Sequence, residues 1–440
     1  MRGERIVFYM QPSRHVPLIY NLFPRLAGPC DRWLPHVERA AGIGFNWLFV
    51  NPIHLPGFSG SLYAIKEYDL LNPAFLPEGT HDQRLDVLRP TLQRIAQCGL
   101  APMVDLVLNH TAIDSSLVSQ HPDWYMRDDQ GQVQNPYAVD PDDPGKKTVW
   151  GDLAEIDNRD SSDREHLWEF WGCLVDRYLE LGFQGFRCDA AYKVPVELWC
   201  FLIDRALRVN SQAVFWAENL GCTLEETRAL GKAGFHFFCN SSKWWNFKDA
   251  WCLTQHREFQ DMPSIAFPET HDTPRLAAES GGNEAVQRQR YAFAALFSSG
   301  IMMPVGYEFG FQRSLHVVTT TTADWESPRW DLQNFVRAVN RWKLDVPLWH
   351  GEGKLVQRSL NNPDLCVLER WSLETTACWA LICLNTNVHE QVDVPIEEIG
   401  ALPSSSRMWR VSWLDLHADS LPVPEQVVFQ PAEVIVMTTV

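Results

Sequence analysis

The chain has 440 residues, 45% of them hydrophobic and 21% charged. This length and composition suit a barrel of about 250 residues plus an accessory domain, and they exclude a disordered or fibrous chain. The net charge of −17 excludes nucleic acid as a partner, because phosphate binding demands clustered Lys and Arg.

No run approaches the ~18 uninterrupted apolar residues that span a membrane. The charged start, MRGERIVFYMQPSRH, holds no apolar stretch of signal-peptide length. The cysteines number eleven and lie mostly inside apolar runs (Cys173, Cys200, Cys252, Cys366, Cys378), none with CxxC spacing. They read as reduced core thiols of a cytoplasmic protein, and no zinc or redox site is expected. The nineteen tryptophans offer aromatic faces that either stack on sugar rings or fill a large core.

In chain order, strands are expected over 18–22, 46–50, 102–108, 185–188, 214–217, 235–238, 265–268 and 302–306. Helical periodicity falls between them, over 33–41, 84–97, 162–181, 197–209, 224–232, 283–297 and 332–343. Eight strands alternating with helices imply parallel strands, and eight is the number that closes a barrel. About fifty residues after the third strand carry few periodic signals and many Asp, Pro and Gly, which marks a functional loop or small subdomain. After about Pro347 the helical pattern gives way to short alternating segments. The expected architecture is an α/β fold, a (β/α)8 TIM barrel over 1–108 and 161–346. A subdomain is inserted over 109–160, and a C-terminal all-β sandwich follows over 347–440.

Four apolar runs stop at residues that carry chemistry: MVDLVLNH (103–110), GFRCD (185–189), VFWAE (214–218) and IAFPETHD (265–272). Barrel strands open onto an active site at their C-terminal ends. Asp189, Glu218 and Asp272 are therefore candidate catalytic carboxylates, with Asp105, His110 and His271 forming a polar floor. Retaining glycoside hydrolysis needs an ionised nucleophile and a protonated acid on either side of the sugar. Arg187 shares a strand face with Asp189 and would hold it ionised, whereas Glu218 follows Phe215, Trp216 and Ala217, an apolar setting that raises a carboxyl pKa. Each element alone has a structural reading: an ion pair for Asp189, a helix cap for Glu218, a core imidazole for His110. A PGKKT string suggests a P-loop, but Asp140 stands where that motif needs glycine.

The motifs DLVLNH, GFRCDAAYK, AEN and FPETHD resemble the four signature regions of the α-amylase family (glycoside hydrolase family 13). The resemblance implies Asp189 as nucleophile, Glu218 as general acid/base and Asp272 as transition-state stabiliser. It makes Arg187, His110 and His271 substrate-binding residues. Asn109 matches a calcium ligand of some members; otherwise neither cofactor nor metal is expected. Tyr63 is either a sugar platform in the cleavage subsite or a plain rim tyrosine. Lys193 and the Trp244–Trp245 pair are further subsite candidates, the pair having a core-packing alternative, and Glu308 is expected to face the same mouth.

A closer resemblance, over 218–247 and 267–280, is to the bacterial α-1,4-glucan:maltose-1-phosphate maltosyltransferases. Those enzymes hold a donor phosphate through an Asn-Pro-Pro-Lys-Lys-Tyr segment and a serine. The matching residues here are Lys146 and Ser61, while Asp143 replaces the Asn and Thr148 the Tyr. An aspartate there repels a phosphate dianion. The implied partner is an α-glucan or malto-oligosaccharide, cleaved or transferred at α-1,4 bonds. The alternatives are maltosyl transfer from maltose 1-phosphate and a catalytically silent glucan-binding barrel.

Overall fold

A computed structural model of the chain describes residues 16–139, 145, 147–373, 378–415 and 419–439. Eight parallel strands close into a barrel: β1 (Leu18–Leu22), β2 (Trp47–Val50), β3 (Ala101–Leu106), β4 (Gly185–Cys188), β5 (Val214–Ala217), β6 (Phe237–Cys239), β7 (Ser264–Ala266) and β8 (Gly300–Pro304). Neighbours in space are neighbours in sequence, and β8 pairs back onto β1.

Every residue of these strands is buried, because one face fills the barrel and the other meets the helices; parallel strands therefore read as continuous apolar runs. Ile19, Trp47, Phe49, Met103, Trp216, Ile265 and Met302 fill the interior, while Leu18, Tyr20, Leu48, Val104 and Phe215 point to the helical shell. Gly185 opens β4 for a packing reason. A Cβ there would lie 2.7 Å from the Trp47 ring and 2.9 Å from Met103 Cε.

Helices follow each strand, and two depart from expectation. The pattern read as one helix over 84–97 is a 3₁₀ turn, Leu85–Leu88, followed by an α-helix, Arg89–Gln97. Pro90 sits in the first turn, where its missing N–H costs nothing. The short helix Trp251–Glu258 was not anticipated; it buries only Cys252, Leu253 and His256, too few positions to show a period. By contrast, Leu224–Leu230 begins with a full capping box between Thr223 and Glu226.

The segment after β3 forms two antiparallel pairs, His110–Ala112 with Leu153–Glu155 and Tyr137–Val139 with Lys147–Val149. At the C-terminal end, a six-stranded antiparallel sheet faces the pair Val392–Pro395 and Gln426–Phe429. Val367, Leu381 and Cys383 of the large sheet pack on Val394, Val427 and Phe429. Its other face (Leu368, Ile382, Val436) joins the barrel's outer core. Two buried basic side chains secure this seam: Lys343 Nζ lies within hydrogen-bond reach of the carbonyls of Ala295, Ser298 and Trp349 at 2.7–2.8 Å, and Arg370 donates to those of Phe297 and Glu352.

Glu308 does not face the mouth. It is wholly buried, accepting from Tyr20 Oη at 2.8 Å and Arg39 Nε at 2.9 Å. Tyr20 belongs to the shell-facing set of β1 and Arg39 to the helix Leu34–Gly42, so the carboxylate is drawn outward from the barrel. Among the described residues, no helix is long and apolar enough to cross a membrane.

Candidate active site

The C-terminal ends of the strands open into a cavity of about 740 Å³ lined by Asp189, Glu218, Asp272, Arg187, His110 and His271. Ser61, Tyr63 and Lys193 line it as well. Asp105 lies beneath, with no exposed surface. Lys146 and Asp143 fall outside the described residues. The strand-end rule accounts directly for Asp189 and Glu218. Cys188 is register partner to both Leu106 and Ala217, and Asp189 and Glu218 continue that ladder through Asp189 N–Leu106 O and Glu218 N–Cys188 O, both 3.0 Å. Adjacent strands lie ~4.8 Å apart, so successive positions on β4 and β5 bring the two carboxylates close together.

Arg187 organises the group. Its Nη1 donates to Asp189 Oδ1 at 2.6 Å and Asp105 Oδ1 at 2.9 Å, while Nη2 lies 3.8 Å from Glu218 Oε2. Burial pushes Asp105 up to about 6 against the pull of Arg187. Burial also pushes Glu218 up to about 7, with Arg187 opposing and the Asp189 charge adding to the rise. Both Glu218 oxygens are held by backbone amides, Oε2 by Ala190 at 2.9 Å and Oε1 by Leu220 at 2.6 Å. Ala190 adopts a left-handed conformation, φ 39°, which costs a non-glycine residue on the order of 1 kcal/mol. Its amide thereby turns onto Glu218.

A hydrogen-bonded chain crosses the floor. Asn21 Nδ2 donates to Asn51 Oδ1 (2.9 Å), Asn51 Nδ2 to Tyr63 Oη (3.1 Å), and Tyr63 Oη to Asp105 Oδ2 (2.7 Å). Tyr63 Oη is also 2.7 Å from His271 Nε2, with the two rings stacked at 5.6 Å. Tyr63 is thus a polar link as well as a cavity wall. Burial keeps His110 below its ordinary pKa, hence neutral at pH 7, and its Nε2 meets the Tyr63 carbonyl at 3.1 Å.

His271 and Asp272 do not end a strand. β7 stops at Ala266, and the loop beyond is pinned by the fully buried pair Glu269–Arg275 at 2.7 Å. Glu269 also accepts from Leu276 N at 2.6 Å, and Arg275 donates to Val305 O at 2.8 Å. Asp272 reaches the mouth with 63% of its side chain exposed and lies 3.0 Å from His271 Nε2. The surrounding cavity walls desolvate it in part and push its pKa up, but His271 and Arg187 outweigh that and hold it below the ordinary value. Glu269→Ala leaves a buried guanidinium uncompensated and should cost about 3–5 kcal/mol. Denaturant titration reads this directly; a loss under 1 kcal/mol would remove the pair from its supporting role.

Asn109 lines the cavity, and its Oδ1 is buried without a protein partner. Calcium takes 6–8 oxygen ligands. Among the described residues no group of three His, Cys, Asp or Glu is placed to hold a metal ion, and Asn109 Oδ1 is the one calcium-ligand candidate that the sequence named. Sequence reasoning missed Asn21, Asn51, Glu269 and Arg275. Of these, Asn51 alone carried a signal, as a polar residue closing the second apolar run. Tyr137 and Trp150, on the inserted segment, also line the cavity.

The model for the glucanotransferase domain of glycogen debranching enzyme matches residues 17–131. The α-1,4-glucan:maltose-1-phosphate maltosyltransferase of Burkholderia pseudomallei is 24% identical over 401 residues, covering 88% of this chain and 34% of the relative. That of Myxococcus xanthus is 24% identical over 432 residues, covering 88% and 62%. The chain thus spans less than two thirds of either relative. Among solved structures, an α-amylase from Lactobacillus plantarum superposes with a TM-score of 0.74 at 18% identity, covering 96% of this chain and 99% of that one. The acarbose complex of the Geobacillus thermoleovorans α-amylase does so at 0.73 and 14%, covering 97% and 99%.

The fold is a (β/α)8 barrel with a C-terminal antiparallel domain, like that of these α-amylases. Over 88% of its length the chain is similar in sequence to the α-1,4-glucan:maltose-1-phosphate maltosyltransferases, a branch of glycoside hydrolase family 13.

Proposed function

We propose that this chain is a retaining α-glucan-active enzyme that cleaves or transfers at α-1,4-glucosidic bonds. The carrying observation is the asymmetry of two neighbouring carboxylates: Asp189 is clamped by Arg187 at 2.6 Å, while burial pushes Glu218 up to about 7. That is the division of labour which retention requires. Asp189 attacks the anomeric carbon as Glu218 gives its proton to the departing glucan oxygen. Glu218, now ionised, takes a proton from water or a sugar hydroxyl, whose oxygen displaces Asp189. Asp272, His110 and His271 bind the glycosyl unit's hydroxyls, and Asp105 with Tyr63 holds Arg187 in place. A cytoplasmic location belongs to the same reading and rests on the cysteine distribution of the sequence.

A second reading is maltosyl transfer from maltose 1-phosphate. The names of the homologues support it, as does the placement of Ser61 and Lys193 on the cavity wall. Lys147 and Lys193 lie 4.5 and 5.8 Å from the Tyr137 ring at its lip. Mass analysis of products from maltoheptaose, alone and with inorganic phosphate, separates the readings. Shortened chains mean hydrolysis, ladders in both directions mean transfer, and sugar phosphates mean the phosphorylated donor. Binding of maltoheptaose with no product over long incubation would instead indicate a silent glucan-binding barrel.

A further inference from the structure

The proposed chemistry leaves open what receives the glycosyl unit, and the loop after β6 bears on that choice. Trp244 ends the 3₁₀ turn Ser242–Trp244, lines the cavity and keeps half of its surface exposed. An indole left at a cavity mouth forgoes burial that its neighbour Trp245 obtains in full.

The ring is nonetheless firmly mounted. Phe267 meets it edge-to-face at 6.1 Å and 84°, and Lys243 Nζ, paired to Glu279 at 3.1 Å, lies 5.9 Å from the ring centre. The turn itself is secured on both sides. Asn240 Oδ1 accepts from Ser242 N at 3.1 Å, and Trp245 Nε1 donates to Asp249 O at 2.7 Å. A rigid aromatic face loses little entropy on docking a ligand.

The position of the ring identifies the ligand. Asn219, next to Glu218, accepts from Cys239 N of β6 at 2.8 Å, so the strand that leads into the Trp244 loop is tied to the residue beside the acid/base. The glycosyl unit on Asp189 sits deep, where Arg187 and Tyr63 converge above buried Asp105. An oxygen that exchanges a proton with Glu218 enters from the lip, past Leu220 and Trp244, both of which line the cavity.

We infer that Trp244 is the platform for the accepting sugar: the apolar C–H face of a pyranose at the end of an α-glucan stacks on the indole and presents its hydroxyl to Glu218. This inference rests on the retaining reading above and deepens it. In the transfer step the acceptor O–H gives its proton to the Glu218 carboxylate. Its oxygen bonds to the anomeric carbon, and the C–O bond to Asp189 breaks and restores that carboxylate. Water does the same chemistry without needing the platform, so Trp244 sets the partition between transfer and hydrolysis.

The test uses α-maltosyl fluoride as donor with maltotetraose as acceptor. Each fluoride released marks one glycosyl-enzyme formed, so extended product per fluoride gives the partition at any rate. Trp244→Ala and Trp244→Leu should lower that ratio about fivefold to tenfold, the loss of one ring-face contact. Trp244→Phe should keep most of it. If the alanine variant fails to fold, the leucine variant, with apolar bulk and no ring face, carries the comparison. An unchanged ratio in the variants, or a wild-type protein that releases fluoride and forms only maltose, overturns the inference while leaving the retaining reading intact. A wild-type protein that releases no fluoride overturns both.

Discussion

Replacing Asp189 by asparagine should remove turnover of malto-oligosaccharides, with kcat falling on the order of 10⁴-fold or more, the scale at which a covalent nucleophile is lost. The amide keeps the size and the hydrogen-bonding oxygen of the carboxylate, and Arg187 retains Asp105 at 2.9 Å. The fold should therefore persist, with an unchanged denaturation midpoint. The sign of a secondary effect is also set. The Asp189 charge contributes to the raised pKa of Glu218, so its removal should lower that pKa. Steady-state kinetics with a thermal melt checks the main claim. A variant with near-wild-type kcat would disprove the nucleophile assignment.

Glu218→Gln should cost about 10²–10⁴-fold in kcat/KM on glucans, the usual worth of a positioned general acid. The loss on α-maltosyl fluoride should be much smaller, because fluoride departs without a proton from the enzyme. The wild-type pH profile carries an independent signature. Glu218 must be protonated when the bond breaks, and burial pushes its pKa up to about 7. The first step is therefore fully active well below pH 7, and kcat/KM falls tenfold per unit above it. An alkaline limb near pH 5 would mean that burial does not govern Glu218. In the Gln variant the limb near pH 7 should vanish.

The parallel strands were legible because both of their faces are buried, so Leu18–Leu22 and Trp47–Val50 show as apolar runs in any context. The later, shorter strands were less so. β6 and β7 have three residues each, too few for pattern to set an end, and the run read through Pro268 stops at Ala266. What lies beyond is held by Glu269 and Arg275, whose pairing depends on burial that a sequence pattern does not show. Glu308 was misplaced for a related reason. Its partners Tyr20 and Arg39 lie more than two hundred residues away, and nothing near Glu308 in the chain points outward. Trp244 and Trp245 show the same limit in miniature. They are adjacent and chemically identical, yet one is in the core and the other at the lip.

By itself the sequence determined the alternation that closes the barrel and the order in which carboxylates and imidazoles follow its strands, since both are written in local runs of apolar and ionisable residues. Tertiary structure decided the surroundings of those carboxylates. The sequence already places Arg187 two residues before Asp189 and an apolar run before Glu218, but it does not give the distances at which these neighbours act. Arg187 at 2.6 Å from Asp189, and burial between two backbone amides for Glu218, separate the two carboxylates. The energy of a charge depends on the distances and dielectric around it, and these exist only once β3, β4 and β5 are side by side.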